Sequence, residues 1–374
     1  MKNSGLCVFA QQMLAIRGGW AVVASAILPR NFPGQKSNMV MESIHQVCQS
    51  NATEVVVERY GDVSQLKARD FLLPAPGKNE VRVRHTAIGV NFVDIYYRTG
   101  VYALPDLPSG LGVEAVGIVE AVGAEVRGIE PGQRVAYAGP PVGSYASARN
   151  IPASRLLHVP DGLADDDVGA LLLRGITAQM LLAHVYPVQS GDTILIHAAA
   201  GGLGLVLLQW AKRLGASVIG TVGSQAKAAL AKQYGLDHPI LYHEQDFVEE
   251  VRRLTDGRGV DYAIDGIGGK TLADTLSVVR PFGMAASIGQ VGGDPGPIDW
   301  SMLGPTRSVA LSRPGVFRFM SDQALYREGA AATFDGLKHG MKAHIGAVFP
   351  LAKAAEAHRA LESGASAGSI LLRP

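Results

Sequence analysis

The sequence predicts an α/β protein, with a doubly wound parallel sheet beside a smaller β-rich domain that reads as a partly open barrel. Three observations carry this expectation. From about Thr177 onward, apolar strands alternate with helices. The first of those strands runs through a glycine-rich turn into an apolar helix, as TILIHAAAGGLGLVLL over residues 193–208. Between Ala52 and His158, by contrast, short alternating segments follow one another with close-set Gly and Pro turns.

Strand, glycine turn and helix make the geometry that receives a pyrophosphate, because the backbone can come close and the first amides of the helix point at the anion. Ala199-x-Gly201-x-x-Gly204 fits that fingerprint with Ala in first place. Strands are expected at 193–196, 217–221, 240–242, 260–265 and 284–289, and helices at 203–214, 225–234, 247–255 and 270–280. Ser224 and Asp246 read as N-caps, and Gly215 and Gly235 as residues just past helix ends. The fingerprint, residues 221–224 and residues 287–290 all fall at carboxyl ends of strands, where such sheets bind ligands.

In the first domain, strands are expected at 52–59 and 80–87, and the stretch 87–94 leads into a short helix carrying Tyr96, Tyr97 and Arg98. The tail, with an amphipathic helix at 351–362 and a strand at 369–372, is expected to close this domain, which is then split in sequence. The expected division is an extension over residues 1–50, a catalytic domain over 51–176 and 317–374, and a dinucleotide domain over 177–316. The extension reads as unstructured, or as translated sequence upstream of a start at Met39 or Met41. The uncharged run at 18–29 is too short to span a bilayer.

The composition narrows the function. Of 374 residues, 47 % are apolar and 18 % charged, so a sizeable core is available. A net charge of +1 gives no basis for a nucleic-acid or membrane surface. The two cysteines, Cys7 and Cys48, rule out a Cys-based zinc lobe in the body of the chain. An acid normally follows the glycine turn of NAD-binding folds by about 20 residues, to hold the ribose 2′-hydroxyl. Here no Asp or Glu stands between Asp192 and Asp237, whereas Ser224 and Lys227 do, which points to a 2′-phosphate and hence to NADPH.

The stretches AIGVNFVDIYYRTGVY (87–102), LPSGLGVEAVG (107–117), HAAAGGLGL (197–205) and GTVGSQAKA (220–228), with the arginine of SRP (312–314), resemble the zeta-crystallin-like quinone oxidoreductases of the medium-chain dehydrogenase/reductase superfamily. The likeness covers about residues 52–374. It implies a GroES-like barrel domain, a Rossmann domain, an NADPH site in the cleft between them, and a homodimer joined through edge strands of the Rossmann domain; a cytoplasmic location is expected. Asn91 and Tyr96 match positions facing the nicotinamide, Tyr102 a tyrosine at the pocket mouth, and Thr177 a threonine beside the nicotinamide. Gly201, Gly202, Leu203 and Gly204 match the pyrophosphate turn. Gly223, Ser224 and Lys227 match the adenosine-phosphate pocket, with Tyr242 as its stacking neighbour. Gly266, Ile288, Gly289 and Gln290 match strand ends lining the cofactor, and Arg313 an arginine near the nicotinamide. Many relatives carry Gly-Lys before the last strand, where this chain has Gly368-Ser369.

Alcohol dehydrogenases of the superfamily use zinc held by a cysteine and the histidine of Gly-His-Glu. This chain has Gly112-Val113-Glu114 there, and the cysteine position falls near Asn91. The expectation is therefore metal-free reduction of a quinone, with Asn91, Tyr96, Tyr102 and Arg313 as catalytic candidates. The alternatives are reduction of an enone or alkenal double bond, or a cofactor-binding protein with little turnover.

Overall fold

The computed structural model describes residues 50–374. The extension expected over residues 1–50 lies outside the described residues, Ser50 apart. Two compact units divide the described chain. The first comprises residues 50–169, Val348–Glu362 and Leu371–Pro374, and the second Ala170–Ala347 and Ser363–Ile370.

In the first unit, strands β1 (Ser50–Val57), β2 (Leu66–Leu73) and β4 (Ser109–Gly110) form one small sheet, ordered β2-β1-β4. A second sheet is built on β3 (Glu80–Val90), which pairs antiparallel with β5 (Glu114–Val122) on one edge and with β7 (Ala148–Pro152) on the other. Beyond β5 lie β6 (Arg134–Ala138) and β8 (Leu157–His158). These are the short, tightly turned antiparallel strands of a partly open barrel. Val81, Val83, Val116, Val135 and Ile151 are fully buried along them. The Phe92–Thr99 helix starts where β3 ends and stops at Gly100, whose φ of +83° suits glycine. Of the tail, the Ala354–Glu362 helix and the end of the last strand belong to this unit.

The second unit holds β9 (Thr193–Ile196), β10 (Ser217–Val222), β11 (His238–Leu241), β12 (Val260–Asp265), β13 (Val279–Ser287) and β14 (Ala310–Ser312). All five pairings are parallel, and the order is β11-β10-β9-β12-β13-β14. That is the doubly wound order, in which chain direction across the sheet reverses between β9 and β12, so ligands bind beyond the carboxyl ends there. Helices at Gly202–Arg213, Gln225–Gln233, Phe247–Leu254 and Lys270–Ser277 join the strands. Ser224 and Asp246 cap two of them through side-chain oxygens, and Gly215 and Gly235 take positive φ just past two helix ends. Leu195, Ile219, Ile240, Val251 and Ala263 form the core.

Residues 170–176, 317–347 and 363–370, expected with the barrel, fall in the second unit. The reason is a close helix crossing. A Cβ at Gly175 would lie 2.3 Å from Thr333 Oγ1, and one at Gly329 would lie 3.1 Å from Ile176. Glycines on both helices let the Gln323–Lys338 helix pack directly on residues 175–176. The stretch Asp165–Val185, ending in a π-helical turn at Met180–Val185, is apolar and long enough to cross a membrane, but 78 % of its most apolar window is buried in the protein.

Candidate functional site

The phosphate turn starts where β9 ends. His197 is buried there, its Nε2 2.9 Å from Thr275 Oγ1 and its Nδ1 3.0 Å from Thr221 Oγ1. The Thr275 hydroxyl donates to the Thr271 carbonyl, so His197 Nε2 donates to Thr275 and Nδ1 accepts from Thr221. Burial lowers this imidazole to a pKa of about 4, against a smaller raising effect of Asp265. His197 is thus a neutral strut under the turn. Ala198 follows with φ of +50°, and Gly201 then caps the helix in an extended conformation.

Leu205 N donates to Gly201 O at 2.9 Å, but the amides of Gly202, Leu203 and Gly204 meet no acceptor among the described residues. Free amides at the positive end of a twelve-residue helix suit a diphosphate. Gly204 lets this turn lie against the helix, since a Cβ there would sit 2.5 Å from Ala198 O. The segment before the last strand closes the turn from the side, with Gly368 N donating to Ala200 O at 2.9 Å.

The residues expected at the adenosine phosphate also come together. A Cβ on Gly223 would touch the Tyr242 hydroxyl at 3.0 Å, and Tyr242 is half exposed. Ser224 Oγ accepts from Lys227 N at 3.3 Å, so the serine is the cap of its helix. The Lys227 ammonium donates to the Gly364 carbonyl, and burial lowers its pKa. An ammonium has three donors, so this bond leaves others for an anion.

At the other strand ends, Asp265 Oδ1 accepts from the amides of Ile267 and Gly268, at 2.7 and 3.0 Å. Ile288 N donates to Asp265 O, and a Cβ on Gly289 would collide with Gly266 O at 2.1 Å. Gly266, Ile288 and Gly289 therefore form one tightly packed rim. Gln290 continues it, its Oε1 accepting from Arg313 Nη2 at 2.6 Å. Thr177 is half-buried, and its hydroxyl donates to Leu173 O.

In the first unit, Asn91 is buried at the start of the Phe92–Thr99 helix. Its Nδ2 donates to Glu114 Oε1 at 2.7 Å, and its backbone N–H to Asp94 Oδ2 at 2.8 Å. A carboxylate only accepts, so Glu114 fixes the amide with Nδ2 toward it and Oδ1 away. Asp94 Oδ2 also accepts from the Tyr145 hydroxyl at 3.0 Å. His358 Nε2 lies 3.0 Å from that hydroxyl, and Arg98 Nη1 donates to His358 Nδ1 at 3.2 Å. Arg98 in turn pairs with Glu362. Burial, and next Arg98, hold His358 at a pKa of about 3. Tyr102 stacks edge-on against Tyr96 and Tyr97, with centroids 5.5 and 5.7 Å away, and is 43 % exposed.

Sequence reasoning passed over Glu114 as the partner of Asn91, and Asp94, Tyr145 and His358 behind it. Asp94 is local, the third residue of the helix that Asn91 caps, but Glu114, Tyr145 and His358 lie far apart along the chain and share no motif with it. It also passed over Arg174, whose signal was present as a lone charge in the apolar run VGALLLRGITAQ.

Residues 77–161 match the family model described as alcohol dehydrogenase GroES-like domain, and residues 202–327 the one described as zinc-binding dehydrogenase. The chain is 40 % identical to a quinone oxidoreductase of Pseudomonas aeruginosa over 324 residues, covering 86 % of this chain and 100 % of the relative. It is also 40 % identical to a 2-haloacrylate reductase of a Burkholderia species, covering 85 % and 98 %. Among solved structures, Escherichia coli quinone oxidoreductase complexed with NADPH superposes with a TM-score of 0.83 at 36 % identity, covering 86 % and 100 %. A barrel-like unit and a dinucleotide-type sheet on one chain define a medium-chain dehydrogenase/reductase. Within that class, the chain belongs to the quinone oxidoreductase family.

The zinc of the matched description does not fit these residues. The Val113 side chain has no ligating atom, no cysteine stands among residues 49–374, and Glu114 is bonded to Asn91. Among the described residues no group of three His, Cys, Asp or Glu side chains could hold a metal.

Proposed function

We propose that this protein is an NADPH-dependent quinone reductase that works without a metal. The observation that carries the reading is the phosphate turn, with three free amides at the start of one helix and Ser224 and Lys227 at the start of the next. Bound NADPH would supply the hydride. The chain's own residues bind and orient. The amides of Gly202–Gly204 hold the diphosphate, and Ser224 and Lys227 the 2′-phosphate. The Gly266–Gly289 rim and Thr177 line the cofactor.

By taking an Nδ2 hydrogen, Glu114 leaves Asn91 Oδ1 as the end that would accept from a carboxamide N–H. The phenols of Tyr96 and Tyr102, and the guanidinium that Gln290 steadies on Arg313, are donors for an oxygen gaining negative charge. A quinone suits such a site because it accepts a hydride without a strong Lewis acid. An activated double bond is the second reading, supported by the likeness to a 2-haloacrylate reductase. Steady-state NADPH oxidation with 9,10-phenanthrenequinone and with an enone tests both. Turnover with neither would leave the cofactor-binding protein and overturn this reading.

A cytoplasmic homodimer belongs to the same reading. Among the described residues strand β14 has one sheet neighbour, β13, and its outer edge would be the one to pair with a second copy. Light scattering on the purified protein checks this, and a monomer at micromolar concentration would count against it.

A further inference from the structure

We propose that Arg174 is a cofactor-binding residue whose guanidinium holds the diphosphate of the bound dinucleotide. This rests on the dinucleotide reading above and adds a residue to it. Arg174 is the only charged side chain between Asp167 and Gln179, and it is 7 % exposed. It does not leave the apolar run by reaching for solvent. Its Nη1 donates to Ala170 O, one turn back, at 2.8 Å. Its stem crosses the first residue of the phosphate helix, so that a Cβ on Gly202 would lie 2.5 Å from Arg174 Nε and 3.2 Å from Cδ. Ser369 Oγ closes the same space at 3.1 Å from that point and donates to the same Ala170 carbonyl.

Gly202 is therefore glycine to make room for a guanidinium, beside the amides of residues 202–204 that meet no acceptor among the described residues. A cation at the positive end of a helix is unfavourable by itself, and an anion placed against both reverses the sign. A guanidinium has five N–H donors in a planar fork that matches phosphate oxygens. Ser369, at the start of the last strand, and Arg174, on its helix, thus meet over Gly202 from two different elements.

The diphosphate is common to NADPH and NADH, which separates Arg174 from Lys227. Binding to the full chain is measured by calorimetry with NADPH, NADH and adenosine 2′-monophosphate, which keeps the 2′-phosphate and lacks the diphosphate. Arg174→Gln should weaken both dinucleotides by about 10- to 100-fold and leave the monophosphate unchanged. Arg174→Lys should keep most of the affinity. Equal loss for all three ligands, loss for NADPH alone, or no loss would each overturn the proposal.

A wild-type protein that binds neither dinucleotide would overturn the dinucleotide reading, and the proposal with it. Should Arg174→Gln fail to fold, Gly202→Ala reads the same contact from the other side. Its Cβ displaces the guanidinium, and unchanged affinity for NADPH would overturn the assignment.

Discussion

The phosphate turn of the second unit and the Asn91 cluster of the first are built on opposite principles. The turn presents main-chain amides, and its glycines lie within a few residues of one another. The Asn91 cluster presents side chains gathered from distant places. Glu114 stands 23 residues from Asn91, and Tyr145 meets His358 across 213 residues. A backbone site tolerates any side chain that stays out of the way and fails when a Cβ intrudes. A side-chain network tolerates no loss of a member, because each buried polar group depends on the next.

The largest expected effect follows from the turn. Gly204→Ala drives a Cβ to 2.5 Å from Ala198 O and 2.6 Å from Ala199 O, both main chain and unable to yield. Overpacking of this kind costs about 1–3 kcal/mol. Because the shift falls on the amides proposed to hold phosphate, NADPH affinity should drop by roughly 100-fold. Gly201→Ala is the control. Its nearest contact is 3.1 Å and its φ is −76°, so affinity should change by less than about threefold. Equal effects of the two substitutions, read by thermal unfolding and fluorescence titration, would erase the distinction between close-packing and merely small positions.

This contrast explains what was legible in the sequence. Strands β9 to β12 and the helices between them follow from the alternation of apolar runs with Ser224, Asp246, Gly215 and Gly235, all local signals, whereas β14 was not expected and β13 begins at Val279, inside the helix expected over 270–280. The turn is local as well. The place of Gln323–Lys338 was not legible, because its packing on Gly175 joins residues more than 150 positions apart. Glu114, Tyr145 and His358 escaped because they too come from other elements, and so did Arg174, whose neighbours Gly202 and Ser369 come from two other elements. Lys227 stood out by its spacing, but its bond to Gly364 did not.

Two substitutions sharpen the contrast further. Asn91→Ala removes a donor to a fully buried carboxylate, which costs about 1.5–3 kcal/mol, and turnover should fall by about 10- to 100-fold. Adding Glu114→Gln should restore much of the thermal stability, since no carboxylate is then left without its donor, while turnover stays low. Recovery of turnover together with stability would mean that Asn91 acts only through packing. Lys227→Ala is expected to weaken NADPH by about 10-fold, at the low end for a charge-assisted contact, because its ammonium is shared with the Gly364 carbonyl. NADH binding should stay unchanged. A wild-type protein that prefers NADH would overturn the role of Lys227.

The smallest and most general difference concerns pH. The first unit contains two histidines that burial keeps neutral, His85 and His358, each lowered to about 3. His85 is held between Ala146 O and the Tyr137 hydroxyl, and His358 between Tyr145 and Arg98. The second unit contains one, His197, lowered to about 4. In the unfolded chain each would titrate near 6.5. Below that value the unfolded state takes up a proton that the folded state refuses, so the stability is fully present above about 6.5 and is lost as pH falls toward 4 and 3. Each such group contributes a slope of at most about 1.4 kcal/mol per pH unit. Asp261 does not disturb the comparison. Burial raises its carboxyl, but Arg258, the Thr193 amide and Arg280 lower it more, so it destabilises the second unit only below the ordinary carboxylate range. Between pH 6.5 and 5 the first unit should therefore lose stability about twice as steeply as the second. Hydrogen exchange at the amides of β3 and β5, compared with β9 and β12 and corrected for intrinsic rates, reads the two slopes separately. His358→Gln should bring the first slope down toward the second; an unchanged slope in that variant would mean that His358 does not titrate on unfolding as its burial requires.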